Sequence, residues 1–240
     1  MTLAASLGEH AAALFGITLT PEQLALFDTY TRELAAWNAH TNLTAITDPD
    51  GVMVRHFLDS LSVAQAARLE PGTRLIDVGS GAGFPGVPLL IAFPGVQVTL
   101  LEATGKKIAF LDHLIAALGL AGAVTLRARA EEAGHLPDHR AAYDLVLARA
   151  VARLPALLEY LLPLAKVGGR CIAMKGVTAH AEARDSARAL RTLGGALREI
   201  ETVTLPGLTD PHYLVVVDKV APTPAGYPRR PGLPARSPLL

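Results

Sequence analysis

The chain has 240 residues, half of them hydrophobic, with 22 basic and 22 acidic side chains and a formal net charge of zero. That length suits one α/β domain with an appendage and can bury a large core. The charge balance excludes a dominant basic surface but leaves room for local patches. A single cysteine, Cys171, excludes an internal disulfide and fits a reducing compartment, and no zinc-type Cys/His cluster appears, so no metal is expected.

At the N-terminus, Glu9 and His10 interrupt the apolar stretch, so no signal peptide is expected. Residues 78–101 carry no charge, but five Gly and three Pro break them, which favours a core strand plus loop over a membrane span. A soluble cytoplasmic monomer is the expectation.

Residues 3–16 and 21–38 read as helices. Thr20-Pro21-Glu22-Gln23 is a helix start, with Thr as N-cap, Pro at the first position and Gln23 as capping-box partner. Residues 38–49 form a polar turn, and 52–68 a third helix. Arg55 and Asp59 stand at i,i+4 and are expected to pair on one face, with His56 and Ser60 in the neighbouring row. With no strand pattern, residues 1–70 are expected to form a helical cap.

Residues 75–86 are the pivot. An apolar run (Leu75, Ile76, Val78) ends in Gly79-x-Gly81-x-Gly83, with Asp77 two positions before the first glycine. Glycines allow positive φ and remove Cβ atoms, so a ligand can lie against the backbone. A dinucleotide loop reads G-x-G-x-x-G, and here the third Gly comes one residue early. Strand-D-x-G-x-G-x-G is the pattern of S-adenosylmethionine (SAM) methyltransferases, where Asp77 orients the loop or meets the cofactor's amino end through water.

Residues 85–92 give the next helix, and Val96 to Leu101 a strand ending at Glu102, 25 residues after Asp77. A carboxylate at the end of the second strand of a Rossmann-like sheet accepts ribose hydroxyls. A helix over 106–118, a strand over 124–128 and the turn Arg129-Ala130-Glu131-Glu132 follow; in a SAM site that turn meets the adenine. The fourth strand, 143–148, puts Arg149-Ala150 at its carboxyl end, where open α/β sheets bind ligands. A helix over 154–164, a strand over 170–174 ending in Lys175-Gly176, a helix over 179–193 and a strand pair over 199–205 and 212–217 complete the set. Residues 71–218 are thus expected to form a SAM-binding, seven-stranded, doubly wound Rossmann-like domain. Residues 219–240 hold six Pro, four basic residues (Lys219, Arg229, Arg230, Arg236) and no acid. They read either as a disordered solubilising tail or as a basic arm for phosphates.

Together, Trp37-Asn38, Asn42-Leu43-Thr44, Arg55-His56-x-x-Asp59-Ser60, Asp77 to Gly86, Lys106-Lys107, Arg129 to Glu132, Arg149-Ala150 and Lys175-Gly176 resemble the RsmG (GidB) family over nearly the whole chain. Those proteins are bacterial 16S rRNA guanine-N7 methyltransferases with the Rossmann-like class I fold. The resemblance implies that Gly79 and Phe84 line the SAM pocket, that Glu102, Ala103 and Thr104 lie by the ribose and Ala130 and Glu131 by the adenine, and that Arg149 lies near cofactor and target base. It implies 16S rRNA in the small-subunit precursor as partner, methylated at one guanosine of the decoding region. At Asp210-Pro211-His212, where relatives often carry Arg, no RNA contact is assigned.

N7 methylation fits the absences. The position after the fourth strand lacks the Asn/Asp-Pro-Pro-aromatic loop of amino-group methylases, and Cys171 lies in an apolar strand, where packing explains it better than a C5 nucleophile would. Guanine N7 already carries a lone pair, so alignment is the main task. Arg55, His56, Arg149 and Lys175 are the expected holders of phosphate or the base's O6 edge. Rival readings are a small-molecule SAM methyltransferase, an NAD-dependent oxidoreductase, and a non-catalytic ribosome-binding module.

Overall fold

The computed structural model describes residues 3–240. Seven strands form one sheet: β1 (Arg74–Val78), β2 (Gln97–Glu102), β3 (Ala123–Arg127), β4 (Tyr143–Arg149), β5 (Ala165–Lys175), β6 (Gly195–Val203) and β7 (His212–Lys219). Their order is β3-β2-β1-β4-β5-β7-β6, with only β7 antiparallel to its neighbours. The order reverses between β1 and β4, which opens a crevice at their carboxyl ends. This is the doubly wound, seven-stranded sheet expected from the alternating pattern.

The inner strands are short apolar runs because both faces of the sheet are covered. On one face, α5 (Gly86–Ala92) and α6 (Gly105–Leu118) pack with the N-terminal helices α1 (Leu3–Phe15) and α2 (Pro21–Thr41). Phe27, Tyr30 and Leu34 of α2 share one core with Leu75, Val87 and Leu100. The described residues up to 70 are therefore distinct in sequence pattern but continuous with the sheet domain in packing. On the other face lie α8 (Leu154–Leu161), α9 (Ala179–Arg184) and α10 (Ala187–Leu193). The helix read over 179–193 is broken at Asp185–Ser186.

Local chemistry sets the cap's geometry. Thr20 Oγ1 accepts the Gln23 N–H at 3.3 Å, and Gln23 Oε1 accepts the Thr20 N–H at 2.8 Å, closing the expected capping box. The same Gln23 donates to the Ile91 carbonyl at 2.7 Å, which pins the cap to α5. The helix read over 21–38 runs on to Thr41 and stops at Asn42, whose φ of 50° is left-handed. Asn38 then folds the chain back: its Oδ1 accepts the Leu43 and Thr44 N–H groups.

The third helix departs most from expectation. It starts at α3 (Pro49–Val52), capped by Asp48, widens into a π-helical turn over Met53–Leu58, and resumes as α4 (Asp59–Leu61). In a π turn the rows three and four apart no longer align. Arg55 therefore faces solvent while Asp59 is buried, and the expected Arg55–Asp59 pair does not form.

The segment 219–240 is strapped onto the sheet. Lys219 is the last residue of β7, and its ammonium donates to the Leu193 carbonyl at 2.7 Å and to the Thr223 hydroxyl. Arg140 holds the carbonyls of Thr223, Pro224 and Tyr227. Arg229 forms a forked pair with Glu159, which is fully buried on α8, at 2.9 Å from Nε to Oε1 and 2.6 Å from Nη2 to Oε2. A short helix, α11 (Leu233–Arg236), follows. Neither a disordered tail nor a free basic arm describes this segment, because two of its four cations are spent inside the fold.

Candidate functional site

The loop after β1 is built by register. Val78 pairs with Leu101, so Glu102 comes level with the glycines. Gly79 and Ser80 donate their N–H groups to the Leu101 carbonyl at 2.8 and 3.0 Å. Gly81 donates to Glu102 Oε2 at 3.2 Å, and Thr104 to Oε1 at 2.8 Å. Glu102 is thus fixed in orientation, with Lys107 Nζ 3.9 Å away. Ala103 and Thr104 are exposed beside it.

The three glycines of the loop do different work. All have positive φ: 74° at Gly79, 60° at Gly81 and 97° at Gly83. A Cβ on Gly81 would meet only the Gly79 carbonyl, at 3.8 Å, so this residue presents bare backbone to open space. A Cβ on Gly79 would stand 2.7 Å from Val151, so that glycine admits the loop after β4. A Cβ on Gly83 would stand 2.7 Å from the Tyr30 hydroxyl, so Gly83 serves the packing of the cap and leaves the direct cofactor set. Tyr30 in turn donates to the Ala82 carbonyl at 2.5 Å.

Asp77 lies beneath the loop, fully buried. Its Oδ2 accepts the Gly86 N–H at 3.0 Å, while Oδ1 has no partner among the described residues. Burial pushes its carboxyl up to about 7, against the lowering pull of the Gly86 N–H and of Arg149. An orphaned, buried acceptor under a bare-backbone loop fits a cationic ligand group. SAM carries an ammonium and a sulfonium, its ribose diol suits Glu102, and its body needs the open backbone at Gly81. The residues present fit the cofactor.

Phe84 is 4% exposed, and its ring lies between Tyr30 (centroids 5.2 Å apart) and His56 (4.4 Å). The Arg149 guanidinium sits 5.0 Å from the centroid. Phe84 is therefore a stacking platform joining cap, loop and Arg149, and its ring does not line an open pocket. Glu131 also departs from expectation. Its carboxylate is buried and accepts the Gly232 N–H of the strap at 2.9 Å, so only main chain at Ala130–Glu131, where α7 (Ala130–Ala133) starts, remains to face a ligand.

Arg149 ends β4 and is held from the cap. Nη1 donates to the Arg55 carbonyl at 2.8 Å and to Asp59 Oδ2 at 2.9 Å; Nη2 lies 3.2 Å from His56 Nδ1. His56 Nδ1 stands between this guanidinium and the Arg55 carbonyl, 3.0 Å away, and Nε2 lies 2.8 Å from Thr44 Oγ1. Burial and then the Arg149 charge pull His56 down to about 4, so it is neutral near pH 7. His56 is thus an uncharged neighbour of Arg149. Two Arg149 donors, Nε–H and one Nη2–H, remain outside these contacts.

Sequence reasoning missed His212. It sits at the start of β7, 3.1 Å from Asp59 Oδ1, and this hydrogen bond holds the imidazole above its ordinary value. Asp59 therefore bridges Arg149 and His212. These three, with exposed Arg55, Lys175 and Asp210, border a cavity of about 530 Å³ at the carboxyl ends of β4 and β5. The departure at 210–212 was visible in the sequence, but only the antiparallel insertion of β7 brings it to the site. Lys175 is less free than expected: its ammonium donates to the Ala152 carbonyl and contacts Glu182, both at 2.8 Å. Glu182 also accepts the Leu154 N–H at 2.7 Å, so the pair clamps the loop that carries Arg149.

A family model described as rRNA small subunit methyltransferase G matches residues 23–208. A protein of Roseiflexus sp. (strain RS-1) named ribosomal RNA small subunit methyltransferase G is 50% identical over 230 residues, 96% of this chain and 97% of that one. One of the same name from Pelotomaculum thermopropionicum is 48% identical over 239 residues, covering both chains fully. Among solved structures, a SAM dependent methyltransferase from Aquifex aeolicus aligns with a TM-score of 0.54 at 16% identity, over 71% of this chain and 93% of its own. That likeness speaks to the fold.

Proposed function

The chain belongs to the rRNA small subunit methyltransferase G family, and from that premise we propose that its SAM-dependent methylation of small-subunit rRNA falls on N7 of one guanosine. The observation that carries N7 is the tip of β4. It presents Arg149, Ala150 and Val151, none of which can accept a proton. Cys171 is buried, and burial pushes its thiol up to about 12, so it is no nucleophile. A ring nitrogen with a free lone pair is the acceptor that needs neither. The placement of that guanosine in the decoding region comes with the family resemblance.

When bound, SAM supplies an electrophilic methyl group. The chain's part is alignment. Asp77 offers its orphaned oxygen to the cofactor's amino end, Gly81 offers bare backbone beside Gly79, and Glu102 faces the ribose. Ala103 and Thr104 border it, and main chain at Phe84 and Ala130–Glu131 completes the cradle. Arg149, stacked on Phe84 and aimed by Asp59, presents its remaining N–H donors to the guanine O6 edge. Arg55 and His212 across the cavity suit the phosphates. Methylated guanine is itself cationic, and Arg149 stands ready to repel it.

The test is transfer of labelled methyl from SAM to in vitro transcribed 16S rRNA and to small subunits lacking the modification. Incorporation into either, with an Arg149→Ala chain at least 100-fold slower but folded, supports the reading. Transfer only to small molecules, or unchanged turnover in Arg149→Ala, rejects it.

A further inference from the structure

We propose that the exposed arginines of α9 and α10 form a second RNA-backbone binding surface, outside the catalytic cleft and rigidly coupled to it; this rests on the rRNA reading above. The chain is neutral overall, yet Arg153, Arg184, Arg188 and Arg191 converge on one shallow depression of about 410 Å³. Two acidic groups border it among the described residues: Asp185, which is taken by Arg153, 3.1 Å from Nη2 to Oδ2, and the terminal carboxylate of Leu240. Arg184, Arg188 and Arg191 are exposed, and no hydrogen bond or ion pair engages their side chains among the described residues.

Their placement follows from helix periodicity. Ala189 and Leu193 of α10 are fully buried against the second core. At 100° per residue, Arg188 and Arg191 fall on the face turned away from those two. Arg184, four residues before Arg188 and seven before Arg191, reaches the same depression. Three unpaired like charges on one face repel each other. A polyanion laid along them relieves that repulsion and releases its counterions. The guanidinium fork matches phosphate better than a point charge would.

The coupling to the site is covalent and hydrogen-bonded. Arg153 is the residue that precedes α8, at the far end of the loop that begins at Arg149. Glu182 of α9 holds that loop through the Leu154 N–H at 2.7 Å and through Lys175 at 2.8 Å. An RNA strand anchored on the stripe is thus registered against Arg149. A fixed anchor of this kind contributes affinity and orientation and carries no sequence information.

The experiment compares the full chain with Arg184→Gln/Arg188→Gln/Arg191→Gln and with a control of equal charge change elsewhere, Arg32→Gln/Arg68→Gln/Arg198→Gln. Binding to in vitro transcribed 16S rRNA is measured between 50 and 200 mM salt, roughly the range over which phosphate binding weakens steeply. The expected result for the stripe variant is RNA binding weakened about tenfold or more, with the slope of log K against log salt shallower by about 2 to 3, at roughly 0.7–0.9 for each phosphate no longer neutralised. SAM binding and melting temperature stay with the unsubstituted chain, and the control keeps its RNA affinity. Unchanged affinity and slope in the stripe variant, or an equal weakening in the control, overturns the proposal. If the unsubstituted chain transfers no methyl to RNA, the functional reading fails, while the stripe is judged on binding alone.

Discussion

Replacing Asp77 by Asn separates what the site needs from what the fold prefers. The carboxyl is fully buried with one oxygen unpartnered, and burial raises it to about 7. A group whose folded value lies above its unfolded one, near 3.9, favours the fold fully below that unfolded value. That favour is lost as pH rises through the window from about 4 to about 7. At pH 8 the folded protein carries a buried charge whose cost, at 1.36 kcal/mol per unit over about 3 units, is on the order of 4 kcal/mol. Asn keeps an acceptor for the Gly86 N–H but puts an unpaired NH2 where Oδ1 stands, which costs about 1–3 kcal/mol. The Asp77→Asn chain is therefore more stable by about 1–3 kcal/mol at pH 8, a melting shift of roughly 2–10 °C for a chain of this size. The gain vanishes near pH 5, where the carboxyl is already protonated. SAM binding moves oppositely, weakening at least tenfold by titration calorimetry at pH 8. Thermal melts across pH 5–8 decide it: a variant destabilised equally at every pH, or one with unchanged SAM affinity, refutes the reasoning.

Three further outcomes follow from the geometry. Glu159→Ala removes the buried partner of Arg229 and should cost about 2–3 kcal/mol in urea unfolding, less than a wholly buried pair because Arg229 can turn to solvent. It should also expose 219–240 to proteolysis. Gly83→Ala should destabilise by about 1–3 kcal/mol through its φ of 97° and its approach to the Tyr30 hydroxyl; in a Tyr30→Phe background the cost should shrink, and an additive cycle would show the clash is not there. His56 is held down to about 4, so the stability it contributes is whole above about 6.5 and is lost as pH falls toward 4, about 3 kcal/mol in all. Acid unfolding of His56→Asn should lack that component, while Asp77 acts in the opposite direction over the same range.

The sheet was legible because its strands are short apolar runs ended by glycine or charge, and because Glu102 stands at the right spacing from Asp77. The capping box at Thr20 was legible for a local reason, two side chains three residues apart. The helix over 52–68 was misread because a π turn leaves no mark in residue spacing, and that turn sends Arg55 outward and Asp59 inward. The strap was misread because proline content argues against helices and central strands but says nothing about a buried carboxylate waiting 70 residues upstream. Glu131 and Gly83 were assigned by motif, and each turned out to serve a neighbour that is distant in sequence: the strap and the cap. His212 was set aside on sequence grounds, whereas the antiparallel β7 delivers it to Asp59.

The central claim is that the methyl group lands on a guanine N7 in small-subunit rRNA. Small subunits lacking the modification are incubated with the chain and SAM, and the rRNA is reduced with borohydride, cleaved with aniline and read by primer extension. The account predicts one new, SAM-dependent strand break, at a guanosine of the decoding region, absent with Arg149→Ala. Labelled methyl in the rRNA without a break would place it on another atom and contradict the account.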